Sequence, residues 1–246
     1  MHARYDDPYE DLLGLWSDLE AALAVLLTEP LRIPGFAIKL HQLDLWLQDL
    51  ITQDSDAALY LMFQRASSTT VGYSPSHAVV CAGLCHILAK ELDLPQSERD
   101  MLIRAALTMN IGMTVLQNQL AEQRTPLSSQ QAEAVKQHPT EGRLMLERLM
   151  VRDRLWLDSV QYHHVVLQPA PLAQLQPLER LVRILGTVDR YAALISPRKT
   201  RSGRSAAESL QILQQDQQYA DEVKQALTEV VGTYPPGTYV QLDNGE

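Results

Sequence analysis

The sequence predicts an all-α protein. Apolar residues recur at helical spacing through most of the chain, and proline and glycine punctuate the periodic stretches. No segment alternates apolar and polar residues for long enough to make a core strand. Leu12, Trp16, Leu19, Leu23 and Leu26 follow a 4-3-4-3 spacing, one continuous apolar stripe that ends at Pro30. After Pro34 and Gly35 the same spacing returns in Phe36, Leu40, Leu43, Leu47 and Leu50. So short a connection predicts an antiparallel helical hairpin. A third helix is expected over about 56–65, with Asp54, Ser55 and Asp56 offering side-chain oxygens to its first N–H groups.

From residue 74 the punctuation becomes regular. Ser74-Pro75 opens a helix through about Leu92, with proline in the first turn where its missing N–H costs nothing. A second runs over about 96–109, after Pro95. Ser128-Ser129-Gln130-Gln131 fits a capping box for a helix to about Gln137, which His138-Pro139 is expected to interrupt. Further helices are predicted at about 140–150, 153–164, 177–195, 205–215 and 219–231. Tyr234-Pro235-Pro236-Gly237 reads as a turn before a short extended tail, Thr238 to Leu242.

The chain has 246 residues, 30 acidic and 21 basic, for a formal net charge of −9, and 46% of it is hydrophobic. That is enough apolar side chain for a core, and the acidic balance argues against DNA, RNA or anionic membranes as partners. The longest apolar run, Ala21 to Leu27, is far shorter than the ~20 residues of a membrane span. Asp6, Asp7, Glu10 and Asp11 stand where an export signal needs positive charge, so a cytoplasmic protein is expected. Cys81 and Cys85, four apart in an apolar stretch, read as core thiols.

Seven histidines are present. His2 and His41 read as solvated, and His86 as a core or boundary residue. His77, His138 and the adjacent His163 and His164 are the candidates for chemistry, together with Asp189, an acid amid apolar neighbours that needs a partner if buried. Their spacing alone is too wide to signal a metal site, although bundle sites are assembled from such dispersed ligands.

The order of landmarks carries more. Ser74-Pro75-Ser76-His77 opens a helix; Arg104 to Gly112 reads RAALTMNIG; Leu127-Ser128 leads to Gln137-His138-Pro139-Thr140-Glu141-Gly142; Tyr162-His163-His164 follows. Arg183 to Arg198 reads RILGTVDRYAALISPR, and Tyr234 to Gly245 closes the series. From about Tyr73 onward this resembles the HD-GYP branch of the HD-domain phosphohydrolases, helical metal-dependent enzymes that open cyclic di-GMP. The resemblance implies an HD-domain-like helical bundle over 71–246, preceded by a helical segment over 1–70 that it does not cover. It also implies His77, His138, His163, His164 and Asp189 as remnants of a metal site, and Arg183 and Arg198 as phosphate-binding arginines.

The departures from that pattern are chemical. Where the family has its namesake His-Asp pair this chain has Met109 and Asn110, and a family lysine is replaced by Met113. Tyr73 and Ala192 stand where some members carry acids, and the segment after His164 is short and lacks the Gly-Tyr-Pro loop. Asparagine carries no charge to bridge two cations, and a thioether is a poor ligand for hard or borderline metals. Two ligands per metal remain, below the three usual for catalytic zinc. A bound metal lowers the pKa of water from 15.7 to about 7, so its loss removes up to about eight orders of magnitude of hydroxide. A stray general base recovers only ~10²–10⁴-fold. The expectation is a non-catalytic regulatory module in bacterial cyclic di-GMP signalling, without a cofactor, acting as monomer or homodimer on a signalling protein or the cyclic dinucleotide. The alternative is a phosphohydrolase with a reduced site holding one divalent iron, manganese or zinc.

Overall fold

A computed structural model describes residues 8–68, 72–215, 221–232 and 234–236. Among the described residues every regular element is helical; the one β contact is an isolated bridge between Arg198 and Arg201. Eleven α-helices follow in order: α1 (Pro8–Thr28), α2 (Phe36–Gln53), α3 (Ser55–Ser68), α4 (Tyr73–Glu91), α5 (Gln96–Thr108), α6 (Thr114–Glu122), α7 (Ser129–Arg148), α8 (Arg154–Tyr162), α9 (Pro177–Ile195), α10 (Ala206–Gln215) and α11 (Asp221–Val231). The all-α reading holds. The extended tail expected over 238–242 lies outside the described residues.

The hub is α4. Every side chain from Tyr73 to His86 is buried, so it is apolar all round rather than along one stripe, as a central helix must be. Helices α1, α2, α3, α5, α6, α9 and α11 all pack on it. One buried core runs from Trp16 of α1 through Leu61, Leu84, Leu102 and Leu185 to Val231 of α11. Cys81 and Cys85 are free thiols within it. The predicted caps form: Asp54 Oδ1 accepts from the N–H groups of Asp56 and Ala57, and Ser128 with Gln131 closes a reciprocal capping box.

Two differences bear on the site. First, α7 is not interrupted at His138-Pro139; it runs unbroken from Ser129 to Arg148 with Pro139 inside it. Pro139 has no N–H for the carbonyl of Val135, one turn back, but His138 Nδ1 reaches that carbonyl at 2.5 Å. The imidazole supplies the donor that proline removes. Second, the stretch after Asn110, for which periodicity predicts no element, forms a single 3-10 turn (Ile111–Met113) followed by α6. Gly112 in that turn lies so near α7 that a Cβ there would meet the His138 carbonyl oxygen at 2.5 Å and the Gly142 nitrogen at 2.6 Å. Only glycine lets the two backbones approach so closely.

Candidate functional site

Four segments deliver the candidate side chains to one place. His77 comes from the first half of α4, His138 from the middle of α7, His163 and His164 from the end of α8, and Asp189 from α9. The structure gathers them into two adjoining clusters: His138, His163 and His164, and His77, Cys81 and Asp189. Within each cluster the nitrogen, sulfur and oxygen donors lie within 4.8 Å of one another. Asp189 links them, with Oδ1 at 2.8 Å from His77 Nε2 and Oδ2 at 3.9 Å from His164 Nδ1.

In the imidazole cluster the backbone sets the tautomers. His138 Nδ1 donates to the Val135 carbonyl, and His163 Nδ1 donates to the Val160 carbonyl at 2.7 Å, serving a carbonyl that the end of α8 leaves open. A carbonyl only accepts, so each Nδ1 carries the proton and each neutral ring presents a lone pair at Nε2. Those two Nε2 atoms face each other at 3.3 Å. Two lone pairs at that distance repel unless a positive charge lies between them. Burial, reinforced by His164, pushes the pKa of His163 down to about 3, and burial lowers that of His138, so a shared proton is disfavoured. A tetrahedral ion with metal–nitrogen bonds of about 2.05 Å separates two donors by about 3.3–3.4 Å. Backbone carbonyls that orient ligand rings through the remote N–H are a regular feature of metal sites. The residues fit one cation, so the expectation of no cofactor finds no support here.

Paired cations do not fit so well. Met109, at the end of α5, is 1% exposed and belongs to the hydrophobic core. Asn110 is buried beside it and brings no charge. Burial acts to raise the Asp189 pKa, but the His77 hydrogen bond and the electrostatic pull of the facing His77, His163 and His164 rings outweigh it and hold the carboxyl well below its ordinary range. That ionised carboxylate is the one anion available to both clusters.

The remaining candidates are close by. Tyr73 lies on the same row of α4 as His77 and stacks nearly parallel to it, ring centres 5.7 Å apart. Arg198 covers the Tyr73 ring at 5.5 Å. Arg183, expected to meet phosphate, donates to the backbone carbonyls of Gln168 and Ala170 at 2.5 Å and so clamps the loop that follows His164. Met113 sits in the 3-10 turn beside Asn110. Cys81 was legible only as a core thiol; its place one helical turn after His77 was the available signal that both face Asp189.

Comparison with known proteins places this arrangement. A family model described as HD domain matches residues 57–223. The chain belongs to the HD-domain family. This HD-domain protein is 30% identical over 186 residues to the cyclic di-GMP phosphodiesterase PA4108 of Pseudomonas aeruginosa, an alignment covering 72% of this chain and 44% of that protein. It therefore spans less than half the length of that relative. Among solved structures, Bd1817, an HDG"Y"P protein from Bdellovibrio bacteriovorus, superposes with a TM-score of 0.68 over 94% of this chain and 74% of that one. At 15% identity that likeness is one of fold. Together these matches show an HD-domain protein whose fold is like that of an HDG"Y"P protein. No helix among the described residues is long and apolar enough to cross a membrane.

Proposed function

We propose that this chain is a regulatory HD-GYP-like module of a cyclic di-GMP pathway that engages a signalling partner without hydrolysing the dinucleotide. One observation carries the reading: where the HD-GYP pattern has its His-Asp pair this chain has Met109, which belongs to the hydrophobic core, and a buried, neutral Asn110. An anion that bridges two cations offsets part of the cost of burying both; an amide does not. Without the pair, the pocket lacks the means of ionising a water at neutral pH and of neutralising a phosphodiester together.

The pocket's shape supports a macromolecular partner over an enclosed nucleotide. The cavity beside His163 and His164, lined also by Val182, Arg183 and Gly186, holds about 30 Å³, room for a single water. Small-molecule pockets usually offer about 300–1,000 Å³. At its mouth Val165 and Val166 are exposed, an apolar rim that a protein surface would cover.

A second reading, a phosphohydrolase with a single cation, is favoured by the facing lone pairs of His138 and His163 and by the adjacent His164. The two readings separate in one assay. Protein loaded with iron, manganese or zinc is incubated with cyclic di-GMP and the linear product is measured. The regulatory reading expects none; turnover that persists through repurification and disappears in His163→Ala supports the second. Restoring Met109→His with Asn110→Asp is expected to raise the metal content, and an unchanged content would mean that the rest of the shell no longer accepts the pair.

A further inference from the structure

We propose that Cys81 is a metal ligand, forming with His77 and Asp189 a mixed nitrogen–sulfur–oxygen site that selects zinc. This deepens the reading above, by naming the cation that the altered pocket takes, and rests on it for the loss of the paired site.

The geometry begins on α4. Tyr73, His77 and Cys81 are spaced by one turn, so they form a single row facing α9. Cys81 Sγ lies 3.5 Å from His77 Nε2, and Asp189 Oδ1 lies 2.8 Å from the same nitrogen. That nitrogen has either one proton or one lone pair in the neutral ring, so it cannot serve both neighbours by hydrogen bonding. A cation among the three satisfies all of them. With metal–nitrogen and metal–sulfur bonds of about 2.05 and 2.3 Å, a tetrahedral zinc separates its nitrogen and sulfur donors by about 3.6 Å. The observed 3.5 Å matches, whereas the 2.8 Å hydrogen bond between His77 Nε2 and Asp189 Oδ1 must open to about 3.4 Å as the ion takes the place of its proton.

Charge and softness choose the metal and the cluster. A thiolate and a carboxylate together carry two negative charges, so a divalent cation there leaves no net charge in a site where His77 is 2% and Cys81 0% exposed. The neighbouring cluster of three imidazoles brings no anion of its own. Cys81 thus gives this one cluster a second negative charge, without replacing the anion that Asn110 fails to bring to both. Sulfur disfavours magnesium and manganese and suits zinc. Loading sends the Cys81 thiol proton to solvent and moves the His77 proton to Nδ1, an atom without a hydrogen-bond partner.

Cobalt(II) in place of zinc reports the sulfur directly. The purified full chain, stripped with chelator and titrated with cobalt(II), is expected to develop a near-ultraviolet sulfur-to-cobalt charge-transfer band that added zinc abolishes. Cys85→Ser should keep the band and Cys81→Ser should lose it. The wild-type spectrum carries the test even if Cys81→Ser fails to fold. Cobalt bound without the band, no cobalt bound, or a band lost in a folded Cys85→Ser overturns the assignment. Hydrolysis of cyclic di-GMP is scored apart: turnover by protein that shows the band overturns the non-hydrolytic reading and leaves Cys81 as a ligand.

Discussion

His138 and His163 each spend one ring nitrogen on a backbone carbonyl, and burial, which outweighs those bonds, keeps both rings neutral and the other nitrogen a lone pair. This has a consequence for stability against acid. Burial holds His163 at about 3 and, with Lys90 and Arg99 adding to it, His86 at about 4, whereas an unfolded histidine titrates near 6.5. Between those values the unfolded chain binds more protons than the folded one, so stability is full above about pH 6.5 and is lost as pH falls toward 4 and then 3. Below about 3.8 the depressed pKa of Asp189 adds to the loss. Melting temperature followed by circular dichroism should fall steadily from pH 7 to pH 4, with a shallower slope in His163→Gln; a flat profile would contradict the buried neutral state. The five ligand candidates were legible in the sequence because landmarks in a fixed order pointed to them. Cys81 was not, because a cysteine in an apolar stretch looks the same whether its sulfur meets leucine or imidazole. Arg183 was legible as an arginine of the family pattern, but not as the clamp on Gln168 and Ala170 that its distances show.

At the level of elements, the periodic helices came through with their limits nearly intact, since Leu, Trp and Phe stripes and Ser128-type caps are local signals. Two elements did not. Helix α6 has a polar sequence with Leu116 and Leu120 as its main apolar pair, and no side-chain cap at its start. It exists because the turn at Gly112, packed on α7, seats it against α4, which is tertiary information. The break expected at Pro139 fails because His138 repairs the hydrogen bond that proline removes. The same contact makes a prediction. His138→Ala should cost more stability with Pro139 present than in a Pro139→Ala background, where the backbone N–H resumes its place, and the coupling should be about 1 kcal/mol by double-mutant cycle in urea. Strictly additive costs would contradict the repair. Gly112→Ala should destabilise by about 1–3 kcal/mol, since the new methyl meets the backbone of α7 rather than a side chain that can turn aside. A neutral result in the same denaturation assay would place the turn further from α7.

For the whole molecule, the core that joins Trp16 to Val231 makes α1–α3 structural partners of the helices that carry the ligands. The hairpin is legible in the sequence but its place is not, because a stripe of leucines does not say which helix it covers. The family and its fold were legible from six landmarks. On the function proposed above, the deciding feature is charge: the fold still brings imidazoles and a carboxylate together, and Asn110 adds no anion of its own. The most direct measurement is the production of linear dinucleotide from cyclic di-GMP by the full chain saturated in turn with iron, manganese and zinc. The account predicts no product above the metal-only control for any of the three. Sustained turnover that vanishes in His163→Ala would contradict it.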